Sequence, residues 1–307
     1  MNFSLLKTLC SIHAPSGSEH VITQFLLAYI KKEKKKWKVQ PTIIAGKEFH
    51  DAIVLVFGKP KTAMFAHIDS IGYTVGYSSN LIKIGGPASK SGYKLVGEDS
   101  QGTIECALHV DKDRNLSYLY KREIDRGTTL TFKPNFRESE DYIQSPYMDN
   151  RLGVFTALKT AETLENGIIV FSTYEEHGGG SAQFIAKHIY EKYKVRQALI
   201  CDITWVTSGV QHGNGVAFSM RDSGIPRRTY LDTIQKILKQ SGVMYQVEVE
   251  SAGGSDGNVL QNCPYPFDWC FIGAPEDNVH SPDEKVAITD IEQMLKTYKV
   301  LMQKMNK

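Results

Sequence analysis

The sequence predicts an α/β fold in which a mostly parallel sheet is sandwiched by helices and carries an inserted small all-β domain. From about residue 142 onward, apolar strand-like runs alternate with runs of helical spacing, which is typical of a parallel sheet covered by helices. Between about residues 72 and 141 the chain holds short runs of alternating polarity, separated by glycine and charged turns. We therefore expect one large domain over residues 1–71 and 142–307 and a small β domain over residues 72–141.

The first 71 residues predict one helix and two strands. Apolar residues recur at helical spacing between Ser18 and Lys36. The stretch SGSE places Ser16 three residues before Glu19, which predicts a capping box at the start of this helix. The run KKEKKK indicates cations that solvate the helix end rather than a nucleic-acid patch. The strands are AIVLVFG and TAMFAHID.

The remaining elements follow the two patterns in order. The insert contains the strand-like runs GTIECALHV, LSYLYKR and TTLTFKP. After it, helices are predicted at NRLGVFTALKTAETL, SAQFIAKHIYEKYK, YLDTIQKILKQS and DIEQMLKTYKVLMQK. Strands are predicted at GIIVFST, QALICDI, YQVEVE and FDWCFIG.

Composition and charge limit the classes of partner. The 307 residues are 41% hydrophobic and 23% charged, with a formal net charge of +2. So small a charge predicts neither a nucleic-acid nor a membrane partner. The five cysteines are odd in number and lack CxxC spacing, and we see no signal peptide and no apolar run near the ~20 residues of a membrane span. The sequence therefore predicts a cytoplasmic protein.

Side chains of metal-ligand type follow most of the apolar runs. In open α/β sheets, ligands bind outside the carboxyl ends of the strands. The residues at such junctions are His67, Asp69, Asp149, Glu175, Glu176, Asp202 and His280. Two histidines and several carboxylates suit zinc or a similar divalent ion, and a pair of ions about 3.5–4 Å apart is a known hydrolytic arrangement.

Two adjacent glutamates stand out in the stretch GIIVFSTYEEHGGGSAQ. Like charges at the end of an apolar strand repel each other, so the pair needs a compensating cation. One of the two, as a metal ligand, would be neutralised. The other would stay uncoordinated, free to accept a proton from the attacking water.

Each of these residues also has a simpler interpretation. A lone histidine is more often a core or surface residue than a ligand. Asp149 could cap the following helix, Asp69 could belong to a turn, and Glu175 and Glu176 could lie in a solvated loop. The coincidence of ligand types at several strand ends favours a metal hydrolase.

Seven motifs in their order resemble the cocatalytic-metal aminopeptidases, above all the glutamyl aminopeptidase and tetrahedral aminopeptidase family. They are AHIDSIG, MDNRLG, YEEHGGGSA, CDIT, GNGVAFSMRD, GGSDGN and HSPDEKV. The resemblance covers nearly the whole chain. It implies a cytosolic enzyme of the zinc-dependent exopeptidase type, a metallopeptidase with two zinc or cobalt ions that releases N-terminal residues from peptides.

The resemblance also implies a role for each site residue. His67 and His280 would each be a terminal ligand of one ion, Asp149 would bridge the two ions, and Glu176 and Asp202 would complete the shells. Glu175 would be the general base, and Asp69 would orient His67. This chain departs from the family at Ser70 and Asn150, where the family has acidic residues, and at His177, whose role stays open.

Substrate contacts and assembly are less specified. The motif GGSDGN is a candidate wall of the substrate site, where Gly254 would permit close approach and Asp256 would contact the α-amine or only shape a turn. The β insert would serve oligomerisation or substrate access, in a homo-oligomer between a dimer and a dodecamer. Two alternatives are a deacylase or other amidohydrolase acting on acylated amino acids, and a non-catalytic scaffold on the same fold.

Overall fold

A computed structural model describes all 307 residues. The helices are α1 (Ser4–Cys10), α2 (His20–Glu33), α3 (Met148–Ala161), α4 (Ser181–Tyr193), α5 (Arg228–Ser241), α6 (Asp256–Asn262) and α7 (Ile288–Met305). None of these helices has the length and apolar composition needed to cross a membrane.

The strands form two separate sheets. The larger sheet contains β1 (Thr42–Ile44), β2 (Ile53–Phe57), β3 (Ala63–His67), β10 (Arg137–Glu138), β11 (Tyr142–Gln144), β12 (Gly167–Ser172), β13 (Gln197–Trp205), β14 (Val216–Arg221), β15 (Tyr245–Val249), β16 (Asp268–Asp277) and β17 (Lys285–Ala287). The smaller sheet contains β4 (Gly72–Val75), β5 (Leu81–Ile84), β6 (Lys94–Asp99), β7 (Gly102–Val110), β8 (Leu116–Leu119) and β9 (Thr129–Phe132).

Parallel pairing lies at the centre of the larger sheet. Strands β12, β3, β13 and β16 are neighbours in that order and run parallel. Antiparallel strands extend both margins, and β14, itself parallel to β15, joins β16 antiparallel. With helices on both faces, the structure confirms the predicted α/β class. Because the central strands are parallel, their carboxyl ends open at one edge of the sheet.

The core is divided between the two faces of this sheet. Alternate residues along a strand point to opposite faces, so Met64 and Phe65 belong to different apolar clusters. One face packs against α1, α2, α3, α5 and α7, and the other against α4 and α6. Burying one such side chain contributes about 1.5–3 kcal/mol, so these clusters hold the strand ends in fixed positions.

The smaller sheet is antiparallel throughout and has its own core. Its strand order is β5-β4-β9-β6-β7-β8, and an isolated bridge between Asn80 and Ser117 brings the two edge strands together. Buried residues such as Tyr73, Leu95 and Phe132 fill it. The last strand of the predicted insert, β10, pairs instead within the larger sheet. The division at residues 72 and 141 stays a prediction.

The second helix differs from its prediction in how it begins. It spans His20–Glu33, followed by a 3-10 turn over Lys34–Lys36. Its N-cap is Glu19, and no side chain caps it, so the predicted capping box is wrong. The Ser16 hydroxyl donates instead to Asp69 at 2.6 Å, and Glu19 accepts from the main-chain N–H of Tyr174 at 3.1 Å. Both side chains therefore form hydrogen bonds with the loops that carry the predicted site residues.

Candidate metal centre and active site

The predicted ligands converge at the carboxyl edge of the central strands. His67 is the last residue of β3, Asp202 lies in the second half of β13, and the two glutamates follow β12. Asp149 lies at the start of α3, and His280 follows β16. Parallel pairing places Ser172 of β12 beside His67.

Helix α3 lies directly against β13, which brings Asp149 close to Asp202. A side chain at Gly153 would collide with the Cys201 carbonyl oxygen. The same oxygen accepts a hydrogen bond of 2.8 Å from the Asn150 side chain. Asn150 is therefore occupied in attaching the helix to the strand.

Two groups of potential ligands share Asp149. In the first, His67 Nε2 lies 3.1 Å from Asp149 Oδ1 and 3.5 Å from Asp202 Oδ2. In the second, His280 Nε2 lies 3.3 Å from Asp149 Oδ2 and 3.1 Å from Glu176 Oε2. Within each group the ligand atoms all lie within 4.8 Å of one another. The two oxygens of one carboxylate thus face two different histidines.

Asp69 lies behind the first group and organises the adjacent glutamates. Its Oδ1 is 3.5 Å from Nδ1 of His67. The main-chain N–H groups of Glu175 and Glu176 donate to its two oxygens, each at 3.1 Å. Asp69 is fully buried, so these bonds satisfy a carboxylate that would otherwise be costly to bury.

A second buried carboxylate, Glu284, connects the two halves of the second group. It accepts the main-chain N–H of Asp149 on one oxygen at 3.2 Å and that of His280 on the other at 3.1 Å. The sequence analysis did not single out this residue, although it lies within the motif HSPDEKV. Glu284 fixes the relative position of two loops that are far apart in the chain.

Three residues beside the ligands adopt left-handed backbone conformations without being glycine. Tyr147 has φ 70°, Tyr174 φ 63° and His280 φ 63°. Such a conformation costs roughly 1–2 kcal/mol per residue. The surrounding hydrogen bonds and packing offset that cost, so the loops are held in shapes that aim the ligands inward.

The electrostatics of the site favour a bound cation. Burial lowers the pKa of His67, but Asp202, Asp149 and Asp69 outweigh it and raise the pKa well above the usual value. Burial also lowers the pKa of His280, and its carboxylate partners Asp149 and Glu176 raise it to about 12. Only histidines form ion pairs with these carboxylates. The pocket is therefore deficient in positive charge.

Glu175 differs from Glu176 in its surroundings. Glu176 faces His280 directly, whereas the Glu175 carboxylate lies 3.8 Å from His67 Nε2. Burial raises the pKa of Glu175 well above its ordinary value, with negative Asp202 adding to the effect. Burial likewise raises the pKa of Glu176. The side chain of Glu175 lines an open cavity beside both groups.

That cavity of about 260 Å³ contains acidic residues that the sequence analysis did not predict. Asp222, Glu248 and Glu250 line it, together with Trp205 and Gly253. Alternating glutamates in YQVEVE are typical of any half-exposed strand, so they give no signal of their own. Asp222, however, lies in GNGVAFSMRD, one of the motifs of the resemblance.

The two predicted substrate contacts are placed differently. Gly254 lines the cavity. Asp256 lies beneath it with 2% of its surface exposed and accepts a hydrogen bond from Ser172. Burial raises its pKa to about 6. His177 lies outside the ligand groups, where its Nδ1 accepts from the Gly85 N–H at 3.1 Å.

A larger groove of about 1340 Å³ lies at the opposite end of the sheet, near the first residues of β13 and β16. Its walls include Lys61, Arg196 and Arg227, with no histidine. Its one carboxylate, Asp268, is paired with Arg227. This groove is wider than the first but holds none of the predicted catalytic residues.

Comparison with known proteins identifies the family. A model of the M42 glutamyl aminopeptidase family matches residues 108–297. The chain belongs to the M42 glutamyl aminopeptidase family. It is therefore a peptidase, an aminopeptidase by family, and the predicted relationship is confirmed.

Individual relatives agree with this assignment. A putative aminopeptidase of Acetivibrio thermocellus is 27% identical over 330 aligned positions, which cover 96% of each chain. The aminopeptidase APDkam598 of the archaeon Desulfurococcus kamchatkensis superposes with a TM-score of 0.86 at 21% identity, over 98% of this chain and 94% of the other. The TET1 peptidase of Pyrococcus horikoshii, described as assembling into a tetrahedron or a large octahedral shell, gives 0.82 at 20% identity, over 97% and 98%. The structural matches show that the chain shares the fold of these aminopeptidases.

Proposed function

We propose that this M42 peptidase is a metal-dependent aminopeptidase that releases N-terminal residues from peptides with the help of two divalent ions. The observation that supports this most directly is the shared position of Asp149 between His67 and His280. The proposed ligands are His67 and Asp202 for one ion, Glu176 and His280 for the other, and Asp149 for both.

The side chains present fit such a pair of ions. Oε1 of Glu176 is buried without a hydrogen-bond partner, and an unsatisfied carboxylate oxygen is expensive to bury. Imidazole nitrogen and carboxylate oxygen are ligand types that zinc accepts. We propose zinc as the ion, with cobalt as the alternative.

When bound, two divalent ions supply an acidified water and a Lewis acid that polarises the scissile carbonyl. Glu175 supplies the proton transfers. Its carboxylate accepts the proton of the attacking water and then delivers it to the leaving amine. Its position in the cavity, 3.8 Å from His67 Nε2, suits a group that exchanges a proton beside the ligands without being one.

Asp69 positions both ends of this machinery. Its oxygens accept hydrogen bonds from the main-chain N–H groups of Glu175 and Glu176, which fixes the backbone from which both side chains extend. Its Oδ1 faces Nδ1 of His67 and so favours the tautomer that leaves Nε2 free to bind a metal.

Metal stoichiometry tests the proposal. Protein purified without chelator and titrated with zinc or cobalt should saturate near two ions per chain. His67→Ala and His280→Ala should each lower that number, and His20→Ala, an exposed histidine of α2, should leave it unchanged. Saturation of the wild type at zero or one ion contradicts the two-ion site.

Substrate chemistry tests the aminopeptidase assignment at this site. Aminoacyl p-nitroanilides should be hydrolysed by the metal-loaded protein, and the same compounds with an acetylated α-amine should not. Hydrolysis of only the acetylated series would assign the protein to the deacylases.

We further propose a homo-oligomer in the cytoplasm. The TET1 relative assembles into closed shells, which supports the oligomer. All five cysteines are buried and free, as is usual in a reducing compartment.

A further inference from the structure

The cavity beside the proposed metal site has a second acidic region. Asp222, Glu248 and Glu250, which we call the acidic wall, line it together with four of the five proposed metal ligands. No lysine or arginine lines the cavity. The nearest cation in sequence, Arg221, donates to the main-chain oxygen of Asp222 rather than to its carboxylate.

Two members of the acidic wall are more than nine-tenths buried. Asp222 is 7% exposed and Glu248 is 4% exposed. Both hydrogen bonds to the Asp222 carboxylate end on Oδ1, from the Gly224 N–H at 2.6 Å and from the Asn258 side chain at 3.5 Å, so Oδ2 is open to the cavity. Burial raises the pKa of both carboxyl groups. A buried carboxylate with a free oxygen directed into a cavity is stabilised when a cation enters.

The acidic wall lies at a defined distance from the proposed metal site. Thr204 donates its hydroxyl hydrogen bond to Glu248. Thr204 and Asp202 are two residues apart in β13, so their side chains share one face and their Cα atoms are roughly 7 Å apart. The Glu248 carboxylate is therefore about one long side chain away from the proposed ligand Asp202.

This separation distinguishes the two cations that an N-terminal residue can carry. The α-amine is one bond of about 1.5 Å from Cα, so it stays beside the scissile carbonyl. The ammonium of an extended lysine side chain lies roughly 6 Å from Cα, at the end of a four-carbon stem. Glu248, the member of the acidic wall that bonds to Thr204, matches the reach of the side-chain cation.

The wall also has an apolar surface for the stem of such a side chain. Trp205 is 42% exposed and lines the cavity. Gly253, with φ 88°, lies between it and Asp222: a Cβ at Gly253 would be 3.7 Å from the Trp205 ring and 4.0 Å from the Asp222 Cβ. An aromatic face beside carboxylates suits the methylene stem and charged head of lysine or arginine.

We propose that the acidic wall binds the side chain of an N-terminal lysine or arginine, so that the enzyme prefers peptides with a basic first residue. This inference rests on the proposed aminopeptidase function, because it places the scissile carbonyl at the proposed metal site. An N-terminal glutamate, whose charge the wall repels, becomes a poor substrate even though the family is described by that residue.

Aminoacyl p-nitroanilides test the preference. The wild type should cleave the lysyl and arginyl compounds with kcat/KM at least 10-fold above the leucyl compound and more than 10-fold above the glutamyl one. Asp222→Asn and Glu248→Gln remove charge without changing size, and each should lower kcat/KM for the basic substrates about 10-fold more than kcat/KM for the leucyl compound. Glu292→Gln, an exposed glutamate of α7, is the control.

Other kinetic outcomes overturn the inference. An equal loss for basic and neutral substrates would show that the wall binds the α-amine. A wild-type preference for leucyl or glutamyl compounds would refute it outright.

A binding measurement keeps this inference separate from the proposed function. Norleucine has the stem of lysine without the ammonium. By calorimetry on the zinc-loaded protein, lysine should bind at least 10-fold more tightly than norleucine, and Asp222→Asn with Glu248→Gln should abolish the difference. If no anilide is hydrolysed but lysine still binds more tightly than norleucine, the proposed aminopeptidase function is wrong. The binding of a basic side chain by the acidic wall is then still supported. Equal binding of lysine and norleucine refutes the proposal that the acidic wall binds the side-chain ammonium.

Discussion

Glu175 and Glu176 are consecutive, yet the structure gives them different neighbours. Both main-chain N–H groups donate to Asp69, so the backbone is fixed at both residues. Both residues line the cavity, but the Glu176 carboxylate reaches His280 at 3.1 Å whereas the Glu175 carboxylate lies 3.8 Å from His67 Nε2. Fixed backbones with diverging side chains allow one residue to hold a cation while the other exchanges a proton.

Changing each glutamate to glutamine should therefore affect metal content and turnover differently. Glu175→Gln removes a base but no proposed ligand, so we expect metal content near wild type and a turnover reduced roughly 10²–10⁴-fold. Glu176→Gln weakens a ligand, because a neutral amide binds a hard dication less well than a carboxylate. We expect it to lose metal and to regain part of its activity in excess ion.

Bound metal and turnover, measured for both variants across one metal titration, decide between the roles. If added metal rescues Glu175→Gln instead, the two assignments are reversed. If neither change affects hydrolysis, catalysis occurs elsewhere in the molecule.

At the scale of elements, the sequence predicted the positions of the strands better than the contacts between loops. Apolar runs such as GIIVFST form central strands, as predicted, because a strand that is buried on both faces carries apolar side chains at nearly every position. The ligand candidates at the strand ends converge because parallel strands end together. Ser16 was misassigned because a local capping pattern competed with a long-range bond to Asp69, 53 residues away. The acidic wall could not be predicted, since it depends on how β14 and β15 are placed beside β16.

Glu284 joins the start of α3 to the loop after β16, and its removal should loosen the second ligand group. Glu284→Ala removes the acceptor for both N–H groups, so we expect zinc affinity to fall by about 10–100-fold, the usual effect of losing a group that orients ligands. Glu284→Gln keeps one acceptor oxygen but places its NH2 against the other main-chain N–H, so its affinity should fall between those of the wild type and Glu284→Ala. Competition with a chromophoric chelator measures both, and equal affinities for wild type and Glu284→Ala would contradict this role.

His13 connects the segment after α1 to β9 of the smaller sheet. Its ring nitrogens lie 3.0 Å from the Thr131 hydroxyl and 2.9 Å from the Thr129 hydroxyl. Burial lowers its pKa from 6.5 to about 4, so the folded protein binds fewer protons there than the unfolded chain. The resulting stability is present above pH 6.5 and is lost as pH falls toward 4, by at most about 3 kcal/mol.

A His13→Gln variant tests this link between elements. Glutamine can bond to one of the hydroxyls but does not titrate, so the variant should be less sensitive to pH. Denaturant unfolding at pH 7 and pH 4.5 should show a smaller loss of stability in the variant than in the wild type. Parallel pH profiles would mean that His13 is protonated without cost in the folded protein.

At the scale of the whole molecule, the smaller sheet is the candidate for contact between subunits. Free strand edges would allow subunits to pair through it, but β5 and β8 meet at the bridge between Asn80 and Ser117, so pairing of edges between subunits is restricted. Exposed apolar side chains remain on its surface: Tyr77 is 75%, Ile82 55% and Leu119 61% exposed. We propose that neighbouring subunits cover these side chains.

The structure shows where the smaller sheet can be removed with least damage. Tyr73 pairs with Leu130 across β4 and β9, so the flanking Gly72 and Thr131 lie side by side at the base. Replacing residues 73–130 by a short glycine linker should preserve the larger sheet and reduce the oligomer to smaller species. It also removes Gly86 and Ala88, which lie 3.3 and 2.8 Å from His280, so zinc binding at the second group should weaken. Light scattering and circular dichroism on the same sample separate loss of assembly from loss of folding.

Point substitutions give the same test without a deletion. Ile82→Glu with Leu119→Glu places charge on the exposed apolar surface of the smaller sheet, and charged groups are depleted from the cores of interfaces because burying them is costly. We expect this double variant to lower the mass measured by light scattering while retaining zinc. Ile225→Glu is the matched control, because Ile225 is 62% exposed but lies in the groove at the opposite end of the larger sheet. If Ile225→Glu disperses the oligomer and the double variant does not, the subunits meet through that groove, and the smaller sheet serves access to the active site instead.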